Sequence, residues 1–362
     1  VKATKIRVAY RGDTVVYNAD AFNLSEGAML NELVRQLPGA ELKPNGEIYV
    51  NGRKVDYLTL NGTDFFKGDN RKMLDNLPAF TVQQVKVYDK TTDRSEFLGY
   101  DTEKKAYVMD VSLKREYNTG YMANVAAGGG TDSHYAGRAF GLRYSDRSRV
   151  TLFGGMNNTN VYNDRPGENG EWPEESLTNG EFVTRQTGGE FFWQNKAKGI
   201  ENSLTANAEW SDRDVNRKSA TEAYLPQGNR YTRSSSLQDV DYMGVNANNW
   251  LTWKTKDHLL TVHSYVGYDR TDTHGYARDA AFDADPSAVG GIDEVLDSAF
   301  LLPSSGSARM RWLNRSSTRS LFEEWKYNVG HDMMWDAKLP WGDNLQLRFT
   351  GSLSRTENDR FE

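Results

Sequence analysis

The chain has 362 residues, of which 38% are hydrophobic, with 19 Tyr, 15 Phe, 9 Trp, 32 Gly and only 9 Pro. So many aromatics exclude a disordered chain, and no run approaches the roughly 20 apolar residues that a membrane-spanning helix needs. The 50 acidic and 44 basic residues are spread throughout, for a net charge of -6, leaving no basic stripe for nucleic acid, and without Cys there is neither a disulfide framework nor a thiolate metal site.

Residues 1–116 read as one small mixed α/β domain. Residues 5–10 alternate as a strand, Arg11-Gly12-Asp13 makes a turn, and residues 14–17 return as a hairpin. A helix follows, with Ser25 as N-cap, Glu26 complementing its positive end and Pro38-Gly39 as its stop. Met29, Leu30, Leu33, Val34 and Leu37 form its apolar face. Residues 47–50 and 55–60 are expected to pair through Asn51-Gly52, because both turn residues tolerate positive φ. A second short helix over 69–77 ends at Pro78, and strands follow at 82–88 and 107–113.

From Gly120 the helical period gives way to alternation. Leu204, Ala206, Ala208 and Trp210 oppose Ser203, Thr205, Asn207 and Glu209. Trp325, Tyr327, Val329, Met333 and Trp335 oppose Glu324, Lys326, Asn328, Asp332 and Asp336. Leu345, Leu347, Phe349, Gly351 and Leu353 oppose Gln346, Arg348, Thr350 and Ser352. Successive strand residues point to opposite faces, so each segment has an apolar and a wet side. Several exceed ten residues, where a tilted bilayer-spanning strand needs about 9 to 11. Links after the second, fourth, sixth and eighth strands are short, around Asp146-Arg147-Ser148, Lys196-Ala197-Lys198-Gly199, Lys254-Thr255-Lys256-Asp257 and Pro340-Trp341-Gly342-Asp343. Those after the third, fifth and seventh are long, covering 157–181, 212–237 and 271–317. Short periplasmic turns alternating with long extracellular loops mark an outer-membrane β-barrel, and place the start of its first strand at the periplasm. Residues 117–362 hold about nine such strands, an odd and unclosed set, so the chain, which starts at Val1 and stops at Arg360-Phe361-Glu362, is expected to be cut at both ends.

Leu37-Pro38-Gly39-Ala40, Ile48-Tyr49-Val50-Asn51-Gly52, and Leu77-Pro78-Ala79-Phe80 leading to Val85-Lys86-Val87-Tyr88 resemble the plug of TonB-dependent outer-membrane receptors. The likeness is nearest to the branch with an upstream carboxypeptidase-regulatory-like domain, and residues 107–114 resemble the strand that leaves the plug for the barrel. Two departures are Asn51-Gly52 in place of Arg-Gly, and the charged Asp101-Thr102-Glu103-Lys104-Lys105 in place of a Gly-rich segment. The resemblance implies a mostly β fold: a plug at 1–116, soluble alone, inside a barrel of about 22 strands that it meets through hydrated charge pairs. It also implies uptake of a scarce solute (glycan, siderophore or peptide), driven by the TonB complex. Outer-membrane lipid would surround the wall, a surface lipoprotein is a further candidate partner, and no cofactor or catalytic residue is expected. The rivals are a barrel that signals or assembles without transporting, distinguished by lacking a TonB box, and a soluble all-β glycan-active enzyme, distinguished by needing no detergent.

Arg138, Arg143, Arg149, Glu190 and Glu209 are expected to face the lumen. Tyr162, Trp172, Tyr224 and Tyr231 in the long loops are candidates to stack on a solute, while Tyr121, Tyr144, Trp193, Trp210, Trp253, Tyr268, Trp335 and Trp341 fit interfacial girdles. Asp283, Asp285 and Glu294 fall at calcium-loop spacing with Ser287, Val289 and Gly291. Ala288 stands where that loop demands Gly and Pro286 stiffens the turn, so the preferred reading is a solvated acidic loop followed by a helix over 292–300. The five His residues have no metal-site spacing, and no nucleophile-elbow or phosphate-loop motif occurs.

Overall fold

The computed structural model describes residues 6–25, 27–43, 46–65, 70–117, 119–145, 147–160, 180–195, 197, 199–301 and 312–361. β1 (Val8–Arg11) and β2 (Thr14–Asn18) form the expected hairpin. β2 pairs with β8 (Val82–Lys90), β8 with β9 (Ala106–Leu113), and β9 runs parallel to β6 (Tyr57–Leu60). The two-residue β7 (Thr63–Asp64) closes a six-stranded sheet of order β1-β2-β8-β9-β6-β7. Its Val85, Val87, Met109 and Val111 share one core with Leu30, Leu33 and Val34 of α1 (Leu30–Gln36).

The start of α1 differs from expectation. Its N-cap is Met29, four residues after Ser25, and no side chain caps it. Met29 instead bridges Pro78, and the amide of Leu30 donates to the Leu77 carbonyl at 2.8 Å, so a neighbouring segment satisfies a helix-end amide in place of a side chain. Ser25 Oγ donates to Glu32 Oε2 at 3.1 Å, and Glu26 lies outside the described residues.

The turn at Asn51-Gly52 forms with φ of 52° and 77°. It joins β4 (Ile48–Val50) to only two residues, β5 (Arg53–Lys54), in a small sheet with β3 (Ala40–Leu42). Beyond Val55 the chain crosses to the larger sheet as β6, where Leu58 and Leu60 are buried; burial there outweighs the longer hairpin read from the turn. α2 (Asn70–Leu74) is shorter than expected, and α3 (Asp93–Leu98) was not foreseen although its ends are legible. Thr92 Oγ1 accepts from Ser95 N at 3.3 Å, and Gly99 closes the helix at φ 84°.

The second half is one antiparallel meander of nine strands, each paired with the next. These are β10 (Gly120–Gly129), β11 (Tyr135–Tyr144), β12 (Ser148–Asn157), β13 (Glu181–Gln194), β14 (Ile200–Ala223), β15 (Arg230–Lys254), β16 (His258–Phe282), β17 (Trp312–Lys338) and β18 (Asn344–Phe361). The four short links fall where the sequence placed them. Two long loops do not: β14 and β15 stay paired from Ile200↔Trp253 to Ala223↔Arg230, so most of 212–237 is strand, and β16 continues to Phe282. At about 3.3 Å per residue these strands reach about 80 Å, far beyond the roughly 9 to 11 residues that cross a bilayer. Alternation is visible only where one face meets an apolar medium, and Asp, Arg, Ser and Thr prolong the ladder past that level without it. The link after β16 carries α4 (Ile292–Leu301), whose Val295, Leu296 and Ala299 pack on Ala280 and Phe282.

Candidate functional site

Register divides the wall into two faces. The outer face presents exposed Tyr121, Val125, Leu152, Phe191, Val266 and Val329, joined by Leu347 and Phe349 on β18. The inner face carries Phe140, Leu142 and Tyr144, which belong to the core of the α/β domain, with Met122 and Phe153 packed against them. The two halves thus meet in part through a dry apolar contact, where hydrated charge pairs alone were expected.

Polar links complete that contact. Arg149, on β12, donates from Nε and Nη2 to the two oxygens of Glu190 on β13, at 2.8 and 2.9 Å. The same guanidinium donates to the carbonyl oxygen of Asp64 and to Thr63 Oγ1, and lies 4.8 Å from the Phe65 ring centroid and 4.9 Å from that of Phe192. The side chains are 4% and 0% exposed, so this ion pair is desolvated but saturated with partners. Lys72 Nζ lies 3.7 Å from the Phe153 ring centroid and 3.4 Å from Asn207 Oδ1. Arg94 Nε donates to Asp336 Oδ1 at 3.1 Å, and Lys254 Nζ to Glu96 Oε2 at 2.6 Å.

The other sequence candidates scatter. Arg138 borders a small inner pocket with Arg71 and Gln186, and Glu209 pairs across the inner face with Gln186. Arg143 is on the outer face: it pairs with Tyr121, and its guanidinium lies 5.9 Å from that ring centroid, because the neighbouring Leu142 and Tyr144 take the inner side. Tyr224 is exposed at the β14–β15 tip, and Tyr231 packs against the α4 core. Tyr162 and Trp172 lie outside the described residues. Asp285 caps the turn at 286–288, accepting from Ser287 N and Oγ, with Arg233 beside it. The Ser287 hydroxyl and amide, with Arg233 beside them, hold the Asp285 carboxyl below the usual range. Among the described residues no group of three His, Cys, Asp or Glu is placed to hold a metal.

A second inner-face feature was not legible. Cross-strand neighbours Asn207, Asn246, Gly267 and Asn328 form one row, and Thr205, Asn248, Tyr265 and Gly330 the next. Tyr265 lies over Gly330, where an added Cβ would fall 2.1 Å from the ring, so the ring lies along the wall. Trp250 and His263 stack at 4.7 Å and 4°, and a ring nitrogen of His263 lies 3.3 Å from Asn248 Oδ1. The sequence shows these residues, but only the register brings them together.

A long-stranded antiparallel wall, apolar outside and polar inside, with an α/β domain bonded to its polar face, is the architecture of a plug and part of a β-barrel. Among the solved structures that match are TonB-dependent outer-membrane receptors. A copper transporter, OprC, is 12% identical over 97% of this chain and 60% of its own, with a TM-score of 0.25. The ferric-catecholate import receptor Fiu of E. coli K12 is 9% identical over 98% of this chain and 67% of its own (TM-score 0.27), and the siderophore receptor PirA of Pseudomonas aeruginosa 12% over 95% and 59% (0.28). An FpvA structure from P. aeruginosa, bound to pyoverdine and iron, is covered over 52% of its length, so the chain spans roughly half to two thirds of such receptors. No family model and no curated protein matches.

Proposed function

We propose that this chain is the plug and first nine strands of an outer-membrane receptor that takes up a solute with energy from the TonB complex, the plug comprising residues 1–116. The observation that carries this reading is the two-faced wall. Its exposed outer Val, Leu and Phe side chains suit a lipid surround, while its inner face is bonded to a separate α/β domain. The force comes from another protein, so the chain needs no catalytic group.

The solute proposed is a neutral hydroxylated one, a glycan. The middle rows of the inner wall offer amides and hydroxyls, which donate and accept without charge, beside the Tyr265 and Trp250 rings, on which the C–H face of a sugar ring packs. A surface lipoprotein would deliver it. The test is fractionation of cells expressing the full-length gene, followed by uptake of labelled oligosaccharides in wild type and Tyr265→Ala. Detergent-dependent extraction from the outer membrane and reduced uptake are expected. A product soluble without detergent would refute the barrel, and undiminished uptake by a correctly inserted variant would refute the wall as the solute path.

A further inference from the structure

We propose that Arg149 is the catch that holds the plug edge against the barrel wall, and that the plug parts from the wall at β7; this rests on the plug-and-barrel reading above. β7 is the outermost strand of its sheet, held to β6 among the described residues by two residue pairs, Thr59↔Asp64 and Leu60↔Thr63. Its Asp64 carbonyl meets the Arg149 guanidinium where a further strand would stand, so a wall side chain satisfies an edge group.

The division of bonds makes this catch reversible. Arg149 and Glu190 are on adjacent wall strands, so their ion pair stays intact when the plug moves. What breaks is the pair of hydrogen bonds to Asp64 O and Thr63 Oγ1, with the contact to Phe65. The charges of Arg149 and Glu190 therefore stay paired. At α3 the situation is the opposite: Arg94 belongs to the plug and Asp336 to the wall, and the Asp336 side chain is 3% exposed. Separation there would break the ion pair itself, which costs more than losing two hydrogen bonds to a pair that stays whole. The α3 side therefore stays while the β7 side leaves. A cleft of about 580 Å³ already lies beside β7, between Gly62, Lys86 and Asp110 of the plug and Ser145, Phe192 and Gln194 of the wall. Displacing β7 widens that gap into a passage.

The test uses the full-length protein in planar lipid bilayers, with urea added until the plug releases and conductance appears. Heat-modifiable migration on gels confirms a folded barrel in each variant. Arg149→Lys keeps a cation beside Glu190 but loses the fork, and should open roughly tenfold faster at a fixed urea concentration, as expected for one lost charged hydrogen bond. Arg149→Met should open faster still if it folds, and the Lys variant decides the matter if it does not. Arg94→Lys should open at the wild-type rate. The catch is overturned if Arg149→Lys opens no faster than wild type, or if Arg94→Lys accelerates opening equally. A wild-type protein that never shows urea-dependent opening sinks the plug-and-barrel reading itself, and the catch with it.

Discussion

Tyr17 shows how one side chain ties sequence-distant parts of the plug together. It is 1% exposed on β2, and its hydroxyl donates to the Pro38 carbonyl at 2.9 Å, pinning the stop of α1 to the sheet. Burial pushes its pKa up to about 12, and Tyr57 is raised to about 12 for the same reason. Because these folded values lie above the unfolded value near 10, the stabilisation is complete below about pH 10 and is lost as pH rises toward 12. Tyr17→Phe should cost about 1 kcal/mol at neutral pH through the lost hydrogen bond, and should flatten part of the alkaline decline, the rest coming from Tyr57, Tyr88 and Tyr107, which burial also raises. Denaturant titrations of residues 1–116 at pH 8 and pH 11 measure both effects, and an unchanged alkaline slope would show that Tyr17 is not a source of it.

At the scale of single elements, β18 offers a direct test of the two faces. Leu347 pairs with Trp335 on the outer side, and Thr350 pairs with Asp332 on the inner side. Leu347→Arg places a cation toward lipid at a cost of about 2 to 4 kcal/mol near mid-depth, whereas Thr350→Arg enters a hydrated lumen and should be tolerated. The yield of heat-modifiable barrel from the full-length gene reads the difference, and equal losses would mean that the faces are misassigned. α4 makes a separate claim. Its core of Val295, Leu296 and Ala299 against Ala280 and Phe282 is small and isolated from the rest. Leu296→Ala should therefore destabilise it by about 2 to 5 kcal/mol, which for so small a core means local opening. Limited proteolysis of whole cells should then cut near α4 while the barrel stays folded; cleavage no faster than wild type would show that α4 does not depend on this core.

For the molecule as a whole, the plug is expected to fold on its own. Leu33, Val34, Val85, Val87 and Met109 are fully buried in a core to which, among the described residues, the wall adds Phe140, Leu142 and Tyr144, with Met122 and Phe153 packed against it. Residues 1–116 expressed without detergent should give dispersed amide signals. The surface left bare by those wall residues should bind a hydrophobic dye, which a plug meeting the barrel through charges alone would not do. Collapsed or absent signals would mean that the wall is needed to complete the domain.

The sequence by itself determined what local physics fixes. The alternation of Leu345 through Leu353 set a two-faced strand, Pro38-Gly39 stopped α1, Asn51-Gly52 made its turn, and the short polar links set the strand count. Each depends on residues a few positions apart. What only the tertiary structure decided depends on partners far along the chain and on which surface meets water. Backbone from Leu77, not Ser25, meets the start of α1. The unbroken β14–β15 ladder, not an amphipathic pattern, carries these strands through residues read from the sequence as a loop. Strand register sent Arg143 outward, set Tyr265 over Gly330, and brought Arg149 to Glu190 and the edge of the plug. A charge in the sequence has no side until the strand beside it is placed, because shifting a strand by one residue exchanges its faces.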